Sequence, residues 1–245
     1  MSQALSSAAY ILRHHAYGES SAVLVALTAS HGKIRCDFKG AKGARRPGGA
    51  GLEPLTLASL QWAPGAELGR ISSLATQHAP LTAIRGYWQG AFLEYVAGLL
   101  DALAPEQEPQ PGLFRLAAAC AGPLLAAPPW AALIYCEFFA LHLAGFLPDL
   151  EKCPQCGRAA DVFLVGPAAA RCGECPGNAG LVRFAGAILN FYRRLRRTPP
   201  EALAALAAGE NLAAIEAPLA VLLRAALEKE IPGRPVLITL FKTAS

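Results

Sequence analysis

The sequence predicts an α+β chain in which a small five-stranded barrel precedes an α-helical region interrupted by a four-cysteine metal ribbon. Three observations carry that expectation: short alternating segments near the start, a change to helical period from Leu81, and two C-x-x-C pairs fifteen residues apart. The expected bounds are 1–80 for the barrel, 81–245 for the helical region and about 150–182 for the ribbon. With 245 residues, 53% of them hydrophobic, the chain is long enough for two domains with a substantial core.

Strands are expected at Ala9 to His14, Ala22 to Thr28, Lys33 to Lys39, Leu55 to Trp62 and Leu68 to Ala75. The third alternates most cleanly: Ile34, Cys36 and Phe38 point inward, and Lys33, Arg35, Asp37 and Lys39 point outward. Its outer face is therefore expected to be cationic. Gly40 to Gly51 then mixes glycines and a proline with Lys42, Arg45 and Arg46, which predicts a basic loop. Tyr10, Tyr17 and Trp62 are the barrel's aromatic candidates for base stacking.

From Leu81 the period is helical, with Ile84, Tyr87, Trp88, Ala91, Tyr95 and Leu99 on one expected apolar face. Ala104 to Gly112 is a polar, proline-rich connection. Helices follow near Leu113 to Ala126 and after Pro128-Pro129. Leu116 to Cys136 is uncharged for 21 residues, but Gly122, Pro123, Pro128 and Pro129 divide it into two buried helices instead of a membrane span. In the second of these, Glu137 shares the apolar side and requires a buried partner: backbone donors or an arginine if structural, a second acid if catalytic. Further helices are expected near Phe184, Glu201 to Ala208 and Leu212 to Lys229, with Pro232 and Pro235 bracketing the tail.

Cys153, Cys156, Cys172 and Cys175 have the spacing of two metal-binding knuckles. Structural zinc is the expected occupant; two disulfides, an iron centre and unused thiols are the alternatives. Four protein ligands leave no position for an activated water, so the metal braces the fold instead of catalysing. Cys36, Cys120 and Cys136 are expected as buried free thiols in a reducing cytoplasm, and no signal peptide opens the chain.

The formal net charge of +4 conceals two basic clusters. Lys33, Arg35, Lys39, Lys42, Arg45 and Arg46 with Asp37 sum to +5, and Arg183 through Arg197 contribute another +5, leaving −6 elsewhere. In the second cluster Ile188, Phe191, Tyr192 and Leu195 occupy one helical arc and Arg193, Arg194, Arg196 and Arg197 the opposite one. That cationic face either is solvated or contacts a polyanion. The first cluster either contacts nucleic-acid phosphates or keeps an edge strand soluble. No phosphate-binding glycine motif, nucleophile elbow, paired carboxylates or open metal site is present, so the chain is not expected to be an enzyme.

Three segments in order, A-Y-G-E-S-S-A-V-L-V-A-L-T-A-S-H-G-K at 16–33, K-G-A-K-G-A-R-R at 39–46 and G-F-L-P-D-L-E-K-C-P-Q-C-G at 145–157, resemble the RecO family of bacterial recombination mediators. The resemblance implies an oligonucleotide-binding (OB-type) barrel, a helical domain and a zinc ribbon. It also implies binding of single- and double-stranded DNA, annealing of complementary strands, partnership with RecR and the single-strand-binding protein, and indirect loading of RecA. Localisation is then cytoplasmic and nucleoid-associated. The alternative function is a zinc-ribbon scaffold for protein assembly, possibly touching RNA.

Overall fold

The structure, a computed structural model, describes residues 4–17, 21–39, 52–177 and 180–243. Strands β1 (Leu5–Tyr17), β2 (Ser21–Thr28), β3 (Gly32–Lys39), β4 (Leu57–Ala63) and β5 (Gly69–His78) close an OB-type barrel in the order β1-β2-β3-β5-β4. All pairings are antiparallel except β3 with β5. Period-2 alternation sends Ala9, Ile11, Leu24, Ala26, Ile34, Cys36, Phe38, Leu60, Trp62 and Ile71 into the barrel core. The apolar run of β2 has a second purpose. Its outward residues Val25 and Leu27, with Tyr10 and Leu12 of β1 and the nearby Leu55, join the core of the helical region.

The seam between β3 and β5 is only partly closed by strand pairing, which is confined to Cys36 with Gly69 and Asp37 with Arg70. The proline-rich connection covers the other half: Gln107 N–H donates to Lys33 O at 2.9 Å, and Lys33 bridges Glu106 in parallel register. The approach is so close that a Cβ at Gly32, where φ is +68°, would lie 2.2 Å from Glu108 O. Only glycine fits there.

Among the described residues seven α-helices follow: α1 (Tyr87–Leu103), α2 (Pro111–Ala121), α3 (Pro129–Leu143), α4 (Gly186–Leu195), α5 (Leu203–Ala207), α6 (Leu212–Leu227) and α7 (Arg234–Thr243). Prolines open α2 and α3, where a missing N–H costs nothing. Helix α3 is buried from Ala131 to Phe138 without interruption, which its all-round apolar sequence permits. Among the described residues no helix is long and apolar enough to cross a membrane. Between α3 and α4 lies a three-stranded sheet, β7 (Ala169–Cys172), β6 (Val162–Gly166) and β8 (Val182–Ala185) in that order.

One expectation is corrected. Tyr87 does not face the core; it is 91% exposed, because α1 begins at that residue and its buried stripe is centred on Phe92, Val96 and Leu99. The tail adds a helix that its prolines do not announce: α7 buries Leu237 and Phe241, with the Phe241 ring 6.2 Å from Trp88 and 5.4 Å from Trp130. Cys36, Cys120 and Cys136 are buried free thiols, as expected.

Glu137 has its arginine. Arg234, at the start of α7, donates from Nε to Oε1 at 2.8 Å and from Nη2 to Oε2 at 3.1 Å, and Tyr95 Oη donates to Oε1 at 2.6 Å. Arg234 also pairs with Glu216 of α6. Burial pushes the Glu137 carboxyl up, and the hydrogen bonds and charge of Arg234 oppose it. The network ties α1, α3, α6 and α7 together, and removing its cation leaves two carboxylates in apolar surroundings. Arg234→Met should therefore lower stability by about 3–5 kcal/mol, measured as a shift of the urea midpoint; a change within about 0.5 kcal/mol, the ordinary range for surface substitutions, would contradict the assignment.

Candidate metal centre and nucleic-acid interface

The two knuckles fold as their sequences dictate. In C-P-Q-C-G, Gly157 N–H donates to Cys153 O and Cys153 N–H to Arg158 O, both at 2.8 Å, with Gly157 at φ +73°. In C-G-E-C-P, Cys175 N–H donates to Cys172 O at 3.2 Å. The four sulfurs all lie within 4.8 Å of one another. Three of their separations are 3.9 Å (Cys153–Cys175), 3.8 Å (Cys156–Cys172) and 3.6 Å (Cys172–Cys175). A tetrahedron with metal–sulfur bonds of about 2.3 Å has edges of about 3.8 Å, so donor type and spacing are consistent with a metal site. A backbone N–H and the Arg158 side chain hold the Cys156 thiol below its usual range, and Cys172 N–H donates to Cys153 Sγ at 3.1 Å. Both favour the thiolate that a metal requires.

Helix α4 holds this ribbon. Its apolar arc buries Phe191, Tyr192 and Leu195 as its period predicts, with Leu189 buried beside them and Ile188 half-buried. Its arginines reach solvent unequally, Arg194 and Arg197 being exposed and Arg193 and Arg196 half-buried, and Arg193 donates to Leu150 O at 2.9 Å and Ala160 O at 2.6 Å. Arg196 donates to Asp149 O at 2.7 Å and lies 3.0 Å from the Asp149 carboxylate. Arg197 reaches Glu151 at 3.0 Å, and Arg194 pairs with Glu210. Every arginine expected to form a free cationic face has an acidic partner, and three of them grip the chain entering the ribbon. The period of α4 is legible in its sequence; the acids that meet its polar arc lie over forty residues upstream or on another element.

The barrel cluster divides likewise. Lys33 does not point to solvent: it is 8% exposed, and Nζ donates to Asp101 O at 2.6 Å and lies 3.4 Å from the carboxylates of Asp101 and Glu106. A lysine covered by α1 and the proline-rich connection must be neutralised there, which removes it from the expected outer face. Arg13 adds a second cation to Asp101 at 2.7 Å. Arg35 is half-exposed and 3.7 Å from Glu106. Tyr10 and Trp62 are buried, Tyr10 against Phe114 and Trp62 edge-on to His31, so neither offers a stacking face. The side chain of Tyr17, and Lys42, Arg45 and Arg46, lie outside the described residues.

Lys39 remains exposed, and the fold brings to the same face Arg70, an isolated base that no cluster or motif singles out. The parallel register of Asp37 with Arg70 creates this proximity across thirty-odd residues. Both cations line a groove of about 510 Å³ with Ser21, Val23, Asp37, Leu68 and Gly69, and neither has an acidic partner among the described residues. Only the β3 alternation and the outward position of Arg70 beside inward Ile71 hint at it.

The chain matches the family model "Recombination protein O N terminal" over residues 1–79 and "Recombination protein O C terminal" over residues 87–234. It is 37% identical over 213 residues to the DNA repair protein RecO of Anaeromyxobacter dehalogenans strain 2CP-C, covering 83% of this chain and 82% of that one. To the protein of the same name from Koribacter versatilis it is 36% identical over 157 residues, 63% of this chain and 64% of that relative's length. A third, from Pelobacter propionicus, is 33% identical over 69% of this chain and 71% of its own.

Arg193→Ala leaves two partly buried carbonyls without their charged donor, at a cost of about 1–3 kcal/mol. Hydrogen exchange should quicken in residues 150–177 and stay unchanged in β1 to β5; uniform protection throughout would show that α4 does not anchor the ribbon.

Proposed function

Because the chain belongs to the RecO family of DNA repair proteins, we propose that it is a DNA-binding recombination mediator. In this proposal it binds single- and double-stranded DNA, anneals complementary strands, and acts with RecR and the single-strand-binding protein to help load RecA. The observation that carries the DNA contact is the groove between β3 and β5, where Lys39 and Arg70 stand exposed without acidic partners among the described residues. The bases Lys42, Arg45 and Arg46, outside the described residues, follow Lys39 within seven residues of sequence. Arg35, paired with half-exposed Glu106, can exchange that carboxylate for a phosphate; Lys33 serves the joint between barrel and helices instead.

These cations neutralise phosphates and release counterions without reading base edges, so binding is sequence-tolerant. Screening two backbones at once lets complementary strands approach, and no bond is made or broken, which is why no catalytic residue is assigned. The metal is structural zinc held by Cys153, Cys156, Cys172 and Cys175: four soft ligands suit it, and it supplies cross-linking to a sheet too small to have its own core. The barrel, residues 1–80, and the helical region, 81–245, act as separate contact surfaces in a cytoplasmic, nucleoid-associated protein.

About four phosphate contacts give a single-strand salt slope of about −2.8, so a fourfold rise in salt should weaken binding roughly fifty-fold. Lys39→Glu with Arg70→Glu should reduce single-strand affinity by more than about tenfold in fluorescence anisotropy and flatten that slope by about 1.4. Unaltered binding would favour a protein-assembly scaffold. Elemental analysis should find one zinc per chain, and Cys153→Ser with Cys156→Ser should abolish it and unfold the ribbon; a stable variant with full metal content would exclude these ligands.

A further inference from the structure

Although Arg194 and Arg197 are exposed, all four arginines of α4 are paired with carboxylates, so a protein that screens two strands gains from another positive surface besides the barrel groove. The ribbon sheet carries one. On central strand β6, Leu164 registers with Arg171 of β7 on one side and with Arg183 of β8 on the other. Residues directly opposite share a face, so Arg171, Leu164 and Arg183 form a row across the sheet. Neighbouring Phe163, paired with Cys172 and Phe184, faces the opposite way into the helical core. The arginine row is thus the sheet's outward face.

Neither arginine has an acidic partner among the described residues. Of the carboxylates that line a groove with Arg183, Glu174 pairs with Arg158 at 3.0 Å and Asp161 lies 3.8 Å from Arg193. Arg183 is exposed. Arg171 is half-buried; its guanidinium lies along the backbone at Gly177, where an added Cβ would sit 3.1 Å from Nη1, and its Nε is buried with no hydrogen-bond partner. One cation is therefore held in place and the other is free to adapt.

We propose that this face is a second nucleic-acid backbone site, which rests on the DNA-binding reading above and adds the surface that receives the second strand. Two strand spacings separate the arginines by about 10 Å, about three steps of a duplex strand at about 3.4 Å each. Guanidinium groups match phosphate oxygens in planar, bidentate geometry. A protein partner fits less well: Leu164 is only 9% exposed, and the flat row lacks the apolar anchor that dominates a protein interface.

The test counts oligonucleotides bound per chain, by native mass spectrometry with a short oligo(dT), and measures annealing of complementary strands. The wild-type chain should bind two. Neutralising both cations in Arg171→Gln with Arg183→Gln should weaken the second site about 25-fold at about 0.1 M salt and reduce the count to one. Arg183→Gln alone disturbs no packed side chain and should weaken that site about fivefold; zinc content checks that both variants keep the ribbon. Annealing should slow in parallel. The inference is overturned by a wild-type count of one, by variants that still bind two or anneal at the wild-type rate, or by loss of a protein partner with DNA capture intact. Failure of the barrel reading looks different: Lys39→Glu with Arg70→Glu would then retain its oligonucleotides, whatever the ribbon variants do.

Discussion

A cation removed from water has to be neutralised where it sits, and this constraint sorts the basic residues into those that hold the fold together and those left without an acidic partner among the described residues. Lys33, under α1 and the proline-rich connection, is satisfied by Asp101 and Glu106. Arg234, inside the helical core, is satisfied by Glu137 and Glu216. Each occupies a joint: Lys33 between barrel and helices, Arg234 between α7 and its neighbours. Truncating one partner of such a pair strands the other, a larger effect than the net worth of the pair itself. Among the cations without such partners, Lys39 and Arg70 flank the β3–β5 groove, and Arg171 and Arg183 share the outward side of the ribbon.

Much of the architecture is legible because it depends on local period. Alternation locates all five barrel strands, and two C-x-x-C pairs locate the ribbon without knowledge of anything else in the chain. Glu137 is legible as a problem, a carboxylate on an apolar helical face, but its partner Arg234 is 97 residues away and no spacing rule connects them. The arginines of α4 show the same limit. Their arc is periodic, and a helical wheel displays them all, but whether that arc meets solvent or acids depends on where Asp149, Glu151 and Glu210 are folded. Arg70 escapes a reading of the sequence for the converse reason: it is isolated along the chain and joins Lys39 only through strand pairing.

The ribbon illustrates how a small sheet is stabilised from outside. Three short strands cannot enclose a core, so Phe163, Val165 and Phe184 place their apolar surface against the helices, with Phe184 5.6 Å from Tyr192 and Tyr192 stacked 5.3 Å from Phe138. The cysteine cluster secures the distal end, and Arg193 and Arg196 secure the proximal carbonyls. Because the inner face is committed to packing and the edges to the knuckles and the clamp, the outward face alone is left to carry polar residues without structural duty.

The barrel is constrained in the same manner. Its interior is filled, and half of the outer surface of β1 and β2 is covered by helices through Tyr10, Leu12, Val25 and Leu27. Near the β2–β3 turn, β3 meets the proline-rich connection, which pairs with its backbone at Lys33 and takes up its charge. Toward Lys39 that cover ends, β5 replaces the connection as neighbour, and the groove opens beside Lys39 and Arg70. A single strand therefore changes character along its length: at Lys33 its cation fixes the barrel on the helices, and at Lys39 its cation stands exposed at the groove. Strand β3 is tied down at its start and left accessible at its end because the acids of α1 and the connection reach only its first half.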